Sequence, residues 1–258
     1  MTEQELNLTQ YFSRIGYAGQ PAPTTETLFA LHTAHTQSIP FENLDVVRGR
    51  AISLNPQSLF DKLVTRRRGG YCFEMNGLFS RVLSQLGFSV TRLLARSVIA
   101  PGVYTAKLHE VMRVDVSGEC FLCDVGYGND GISAPIPLNS AQPQEQSGST
   151  YRITHDEKAR HILERLNDGG FIPMYIFTED ECVPADFEVA SHYTSTHPES
   201  FFRMMSFATM PTKTGRVTLT DGEFKTVAHG ETAVRKLSGK DEFSEVLKDV
   251  FGISTAEE

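Results

Sequence analysis

RRGGYCFEMNG, residues 67 to 77, puts Cys72 two positions after a glycine pair and at the start of a helical pattern. The helix is CFEMNGLFSRVLSQLG (72–87), whose Met75, Leu78, Phe79, Val82 and Leu86 share one face and whose stop is Gly87. Gly69 and Gly70 are expected to let the chain turn sharply into it. Cys72 then lies in the first turn, where free backbone N–H groups and the positive end of the helix dipole favour a thiolate and can cradle an oxyanion. Arg67 and Arg68 add positive potential or pair with surface carboxylates. Upstream the pattern is also helical. TLFALHTAHTQ (27–37) ends before Pro40, and SLFDKLV (58–64) repeats Leu59, Phe60, Leu63 and Val64 at helical spacing.

From Phe88 the period changes. FSVTRLLARSVI, HEVMRVDV, ECFLCDVG, YRITHD, HILERL and MYIFTE are short strand-like runs separated by Gly, Pro and Ser, which predicts a β-barrel or sandwich. SAQPQEQSGST (140–150) reads as a polar loop. After Phe207 comes a hairpin, RVTLT and EFKTVAH around Asp221-Gly222, and then a helix carrying Phe243, Val246, Leu247, Val250 and Phe251 in one stripe. The fold class expected is α+β in three parts: 1–88 helical, 89–206 barrel, 207–258 an α/β lid.

The chain has 258 residues, 40% hydrophobic and 22% charged, an ordinary globular composition that supports a large core. A formal charge of −8, with the three-residue cluster Arg66–Arg68 as its one basic run, argues against a nucleic-acid partner. No apolar run approaches the roughly 18 residues of a membrane span, and the first residues show no signal-peptide pattern, so a soluble cytoplasmic protein is expected. The four cysteines (72, 120, 123, 182) then read as reduced thiols.

A nucleophilic cysteine needs a base and a group to orient that base. A two-residue turn at Ser117-Gly118 pairs Val116 with Glu119, so His109 faces Gly126 and Val111 faces Asp124. His109 and Asp124 become diagonal neighbours on one face, within reach of an imidazole–carboxylate contact. Other constellations are weaker. Cys120 and Cys123 point to opposite sides of a strand and lack a second ligand pair at zinc spacing, and His32 with His35 lacks a third ligand. No metal is expected, and no phosphate-binding glycine motif is present.

RRGGYCFEMNGLF, SIPFENLDV (38–46), LHEVMRV followed by FLCDVGYG, and HYTSTHPES (192–200) together resemble the arylamine N-acetyltransferases, in particular the bacterial N-hydroxyarylamine O-acetyltransferase branch. The resemblance spans nearly the whole chain in the same order. It implies a helical bundle, a β-barrel and a lid, and a catalytic triad of Cys72, His109 and Asp124. It further implies acetyl-CoA as donor, an acetyl-cysteine intermediate, and small aromatic amines, hydrazines or N-hydroxyarylamines as acceptors. Phe41, Tyr127 and Tyr193 match the family's substrate-pocket residues, and Gly126 and Tyr127 its CoA contacts.

Three departures stand out. Tyr127 replaces a common phenylalanine, Glu110 follows the histidine where apolar residues are common and by alternation points away from the triad face, and the chain ends soon after Phe251-Gly252. Rival readings are an amide synthase of the same fold acting on a carrier-bound polyketide, a triad cysteine hydrolase, and a relative that only binds aromatic ligands. The oligomeric state is not legible.

Overall fold

The computed structural model describes residues 5–158 and 160–254. Five helices come first: α1 (Leu8–Ile15), α2 (Thr25–Ser38), α3 (Leu44–Val47), α4 (Pro56–Phe60) and α5 (Cys72–Gln85). Side-chain caps fix several starts: Asn7 accepts from the Gln10 N–H, Thr24 from that of Thr27, and Asn55 from those of Gln57 and Ser58. The SLFDKLV segment is not one regular helix. α4 runs into a wide turn, Asp61–Thr65, closed by the Arg66 N–H on the Asp61 carbonyl.

The strands are β1 (Phe41–Glu42), β2 (Ser89–Ala100), β3 (Val103–Tyr104), β4 (His109–Val116), β5 (Glu119–Cys123), β6 (Ile136–Pro137), β7 (Gln144–Gln146), β8 (Ser149–His155), β9 (His161–Asn167), β10 (Gly170–Phe177), β11 (Phe207–Thr212), β12 (Gly215–Thr220), β13 (Glu223–Ala228) and β14 (Glu231–Lys236). A nine-stranded antiparallel sheet runs β6-β5-β4-β2-β10-β9-β8-β7, with β3 beside β2, and curls into a nearly closed barrel. A second sheet runs β1-β11-β12-β13-β14, so the PFEN segment contributes a strand to a sheet made mostly from the C-terminal part. Two helices complete the chain: α6 (Pro184–Thr196), after the barrel, and α7 (Lys240–Phe251), whose Val246, Leu247 and Phe251 pack on the second sheet.

Three elements depart from expectation. α6 lies inside the span read as all-β. The supposed loop 140–150 contains β7 and its turn into β8, with Ser147 and Gly148 both at positive φ. The wholly exposed edge strand β14 carries no apolar alternation to be read, whereas α1 shows a regular stripe of Leu8, Tyr11, Phe12 and Ile15.

One core cluster joins helices to barrel. Leu28, Leu31, Met75, Phe79 and Val82 meet Met112, Val114, Phe121 and Cys123, with Phe29 edge-on to Phe121 at 5.5 Å. The candidate site lies along this junction, where the start of α5 meets the start of β4.

Candidate active site

Cys72 is the first residue of α5. The Tyr71 N–H before it donates to Glu74 Oε2 at 3.1 Å, closing the helix start with a side chain from its own first turn. The two glycines serve close packing rather than unusual dihedrals. A Cβ on Gly69 would lie 2.1 Å from the Pro40 carbonyl oxygen, and one on Gly70 2.8 Å from Glu74 Cβ. The positive φ in this turn belongs to Arg67, at 54°, and not to either glycine. Arg68 is buried and paired with Glu42 at 2.8 Å and Asp45 at 3.3 Å, while Lys62 joins Asp45 at 2.6 Å and Glu74 at 2.8 Å. The RRGG and PFENLD motifs are thus two halves of one buried ion network that fixes where α5 begins. Arg68 lends no free positive potential to the thiol.

The turn Ser117-Gly118 has both residues at positive φ, the conformation that matches the twist of a two-residue hairpin. The ladder pairs Val116 with Glu119 and continues to Met112 with Cys123. Just beyond its end, His109 Nε2 lies 2.7 Å from Asp124 Oδ2. Tyr175 donates its hydroxyl to the same oxygen at 3.0 Å, and Asp124 Oδ1 accepts from Asn76 Nδ2 and the Gly126 N–H, both at 2.9 Å. Burial works to raise the Asp124 carboxyl, but His109, Asn76 and Gly126 outweigh it and hold it below the ordinary value. The Asp124 N–H donates to His32 Nε2 at 3.2 Å, and burial pushes His32 down to about 4, so it stays neutral. His32 and His35 are core residues, as their lack of a third ligand suggests, yet His32 also steadies Asp124. Among the described residues no group of His, Cys, Asp and Glu is arranged to hold a metal, and all four cysteines are free.

Cys72 and His109 line one cavity of about 370 Å³, together with Gly126, Tyr127, Leu108, Phe202 and Phe207. Burial pushes the Cys72 thiol well above its usual value, opposed by the backbone N–H groups of Glu110 and Phe73. Burial thus opposes a thiolate at the helix start, and an anion there needs the counter-charge of an adjacent base. Gly126 approaches the nucleophile so closely that a Cβ on it would stand 2.8 Å from Cys72 Cα. Tyr127 presents its ring edge-on to His109 at 5.0 Å, but its hydroxyl donates to the Met174 carbonyl at 3.3 Å.

Phe41 and Tyr193 do not line this cavity. Phe41 is buried behind it, stacked on Phe207 at 5.4 Å, and shapes the wall through that ring. Tyr193 is 45% exposed on α6, stacks on His197, and borders a different groove that shares Leu108 with the cavity. The aromatic wall of Phe201, Phe202 and Phe207 escapes the sequence reading, because the segment before β11 shows no periodicity. A larger groove of about 980 Å³, between residues 49–56 and α6, contains none of the candidate site residues.

The fold and this cavity define an α+β protein with a buried cysteine and a histidine–carboxylate pair at one site. A sequence profile described as N-acetyltransferase matches residues 24–258. The arylamine N-acetyltransferase of Mycobacterium tuberculosis is 38% identical, covering 98% of this chain and 91% of its own, and its solved structure superposes with a TM-score of 0.91 over 96% of this chain and 94% of that one. The arylamine N-acetyltransferase / N-hydroxyarylamine O-acetyltransferase of Salmonella typhimurium is 35% identical over 95% of this chain and 88% of its own. The Mycobacterium marinum arylamine N-acetyltransferase in complex with CoA is 35% identical, with a TM-score of 0.90 over 96% and 93% of the two chains. This chain belongs to the arylamine N-acetyltransferase family.

Proposed function

We propose that this protein transfers acetyl groups from acetyl-CoA to arylamines, arylhydrazines and N-hydroxyarylamines through an acetyl-Cys72 intermediate. The observation that carries this reading is the 2.7 Å contact between His109 and Asp124, with His109 and Cys72 on one aromatic-walled cavity. Three parts combine: a helical bundle (1–88) bringing Cys72, a barrel (89–206) bringing His109 and Asp124, and a lid (207–258) bringing Phe207.

In the first half-reaction His109 takes the Cys72 proton as the sulfur attacks the thioester carbonyl. The new C–S bond forms, the C–S bond to CoA breaks, and His109 returns the proton to the departing CoA sulfur. Asp124, facing His109 Nε2, fixes the tautomer and stabilises the charge the ring acquires. Burial works against a lone thiolate, and His109 backed by Asp124 supplies the positive charge that offsets it. In the second half-reaction the acceptor nitrogen or hydroxyl attacks the acetyl carbon and gives its proton to His109, the C–S bond to Cys72 breaks, and the proton His109 holds balances or returns to the departing Cys72 sulfur. Backbone N–H groups beside Cys72 serve the oxyanion. The rings of Phe202, Phe207 and Tyr127 suit a flat aromatic acceptor, and Gly126 and Tyr127, which line the same cavity, would meet the end of CoA. The CoA-bound relative supports the donor, and the name of the Salmonella relative supports hydroxylated acceptors.

The test is intact-protein mass after mixing with acetyl-CoA alone. One acetyl group is expected on wild type, none on Cys72→Ser, and its loss on adding an arylamine. Turnover with no acetyl-enzyme under rapid quench would sink the two-step scheme.

A further inference from the structure

Asn76 lies one helical turn after Cys72 on α5 and is fully buried, and its whole amide is directed at the segments that carry the other two site residues. Nδ2 donates one hydrogen to the Glu110 carbonyl at 2.6 Å, one residue past His109 on β4, and the other to Asp124 Oδ1 at 2.9 Å. Oδ1 accepts the Val125 N–H at 2.9 Å, one residue past Asp124. Both donors of the amide are thereby used. The orientation is fixed as well, because a flipped amide would set its oxygen against two acceptors and its nitrogen against a donor. Gly126 closes on the same group, a Cβ there falling 2.9 Å from Asn76 Nδ2. One amide thus ties α5, β4 and the segment after β5 together, within a residue of His109 and Asp124 and one turn of Cys72. Around it, helix and barrel meet through Met75, Phe79, Met112 and Cys123, an apolar contact that is non-directional and opposes separation more than sliding.

We propose that Asn76 is a positioning residue for acetyl transfer, setting the distance and angle at which the His109–Asp124 pair meets the Cys72 sulfur. The proposal rests on the roles proposed for Cys72, His109 and Asp124. Asn76 acts through Asp124 and the backbone, since its amide keeps no free hydrogen for a substrate. A misplacement of about 1 Å between reacting groups costs on the order of a hundredfold in rate, so a side chain that registers two elements has leverage on the chemistry. It also has an electrostatic signature. Burial raises the Asp124 carboxyl, and the hydrogen bond from Asn76 is among those, with His109 and Gly126, that bring it below the ordinary value. The titratable groups facing Asp124 are His109 and Glu110 from β4, Tyr175 from β10, His32 from α2, Cys72 from α5, and its chain neighbours Cys123 and Tyr127. Without the Asn76 donor Asp124 takes its proton at higher pH, and a protonated Asp124 no longer stabilises the His109 cation.

The test is single-turnover acetylation of Cys72, followed by intact mass across pH and across acetyl-CoA concentration, in wild type, Asn76→Ala and the isosteric Asn76→Asp. Asn76→Ala is expected to slow loading at saturating acetyl-CoA by roughly a hundredfold while leaving the half-saturating concentration unchanged. The acid limb of its profile should move up by about one pH unit, the effect of losing one hydrogen bond to a charged group. Asn76→Asp keeps the volume and the acceptor for Val125, but faces Asp124 only while the two carboxyls share a proton. Its loading relative to wild type should therefore fall as pH rises. A role in packing alone would lower stability without tilting either profile. The proposal is overturned by a folded Asn76→Ala with the wild-type saturated rate or an unmoved acid limb; should that variant not fold, a flat ratio of Asn76→Asp to wild type across pH overturns it. Absence of acetyl-Cys72 in wild type sinks the two-step scheme and this proposal with it, whereas normal loading in wild type and variants alike sinks this proposal alone.

Discussion

Asp124 accepts hydrogen bonds on every side, from His109 and Tyr175 at one oxygen and from Asn76 and the Gly126 N–H at the other. Asparagine can copy this only by turning its amide nitrogen to His109 and Tyr175, which must then accept, so the imidazole takes the tautomer that cannot receive the Cys72 proton and the tyrosine hydroxyl loses its acceptor. Asp124→Asn is therefore expected to cost stability, on the order of 2 kcal/mol, besides slowing acetyl loading by roughly a thousandfold or more. Urea denaturation beside single-turnover loading checks both; full stability with normal loading would mean that Asp124 is not the orienting group. Tyr127 teaches the opposite lesson. Its extra hydroxyl, read from sequence as part of the pocket wall, is turned to the Met174 carbonyl. Tyr127→Phe is expected to lose about 1 kcal/mol of stability while leaving the order of preference among para-substituted anilines intact. A reordering of those rates would place the hydroxyl in contact with the acceptor.

The start of α5 and the loop after β5 meet so closely that Gly126 has no room for a side chain, a Cβ falling 2.8 Å from Cys72 Cα and 2.9 Å from Asn76 Nδ2. Backbone on one side and a committed hydrogen-bonding group on the other cannot yield. Gly126→Ala is expected to destabilise the protein by roughly 1–3 kcal/mol and to slow acetyl loading together with iodoacetamide alkylation; wild-type rates for both would show that the helix can shift at no cost. The pairing of His109 with Asp124 was legible because a two-residue turn fixes strand parity, and one error there reverses every face. α6 was not legible. PADFEVASHYTST mixes Thr, Ser and β-branched residues and shows no single apolar face; what anchors it is tertiary, Phe187 beneath Arg92 and Ser191 bonded to the Tyr71 hydroxyl. Tyr193 could not be placed for the same reason. The glycine pair was read as a flexible turn because sequence shows that a side chain is missing, not whether dihedral freedom or a neighbouring carbonyl requires it.

The junction between helices and barrel concentrates ionisable groups that folding holds neutral, and they pull stability in opposite directions with pH. His32, pushed down to about 4 by burial, binds a proton near pH 6.5 only when unfolded. Its contribution to stability is complete above that value and is lost as pH falls toward 4. Glu110, raised to about 7, has the reverse sign: unfolded chains ionise it from about 4.3 upward while the folded protein keeps the proton, so stability falls as pH rises through that window. Both groups sit on the same seam, His32 against the Asp124 N–H and Glu110 against Asn76 through its carbonyl. Single substitutions should therefore tilt the stability profile between pH 4.5 and 6.5 in opposite senses. His32→Gln keeps an acceptor for Asp124 and removes the charge, so its stability should rise less steeply with pH than that of wild type. Glu110→Gln should rise more steeply. The size expected is roughly 1.4 kcal/mol per pH unit for each fully shifted group, readable as urea midpoints at pH 5 and pH 6.5. Equal slopes in wild type and both variants would mean that acid opens the molecule elsewhere than at the seam carrying the cysteine and its base.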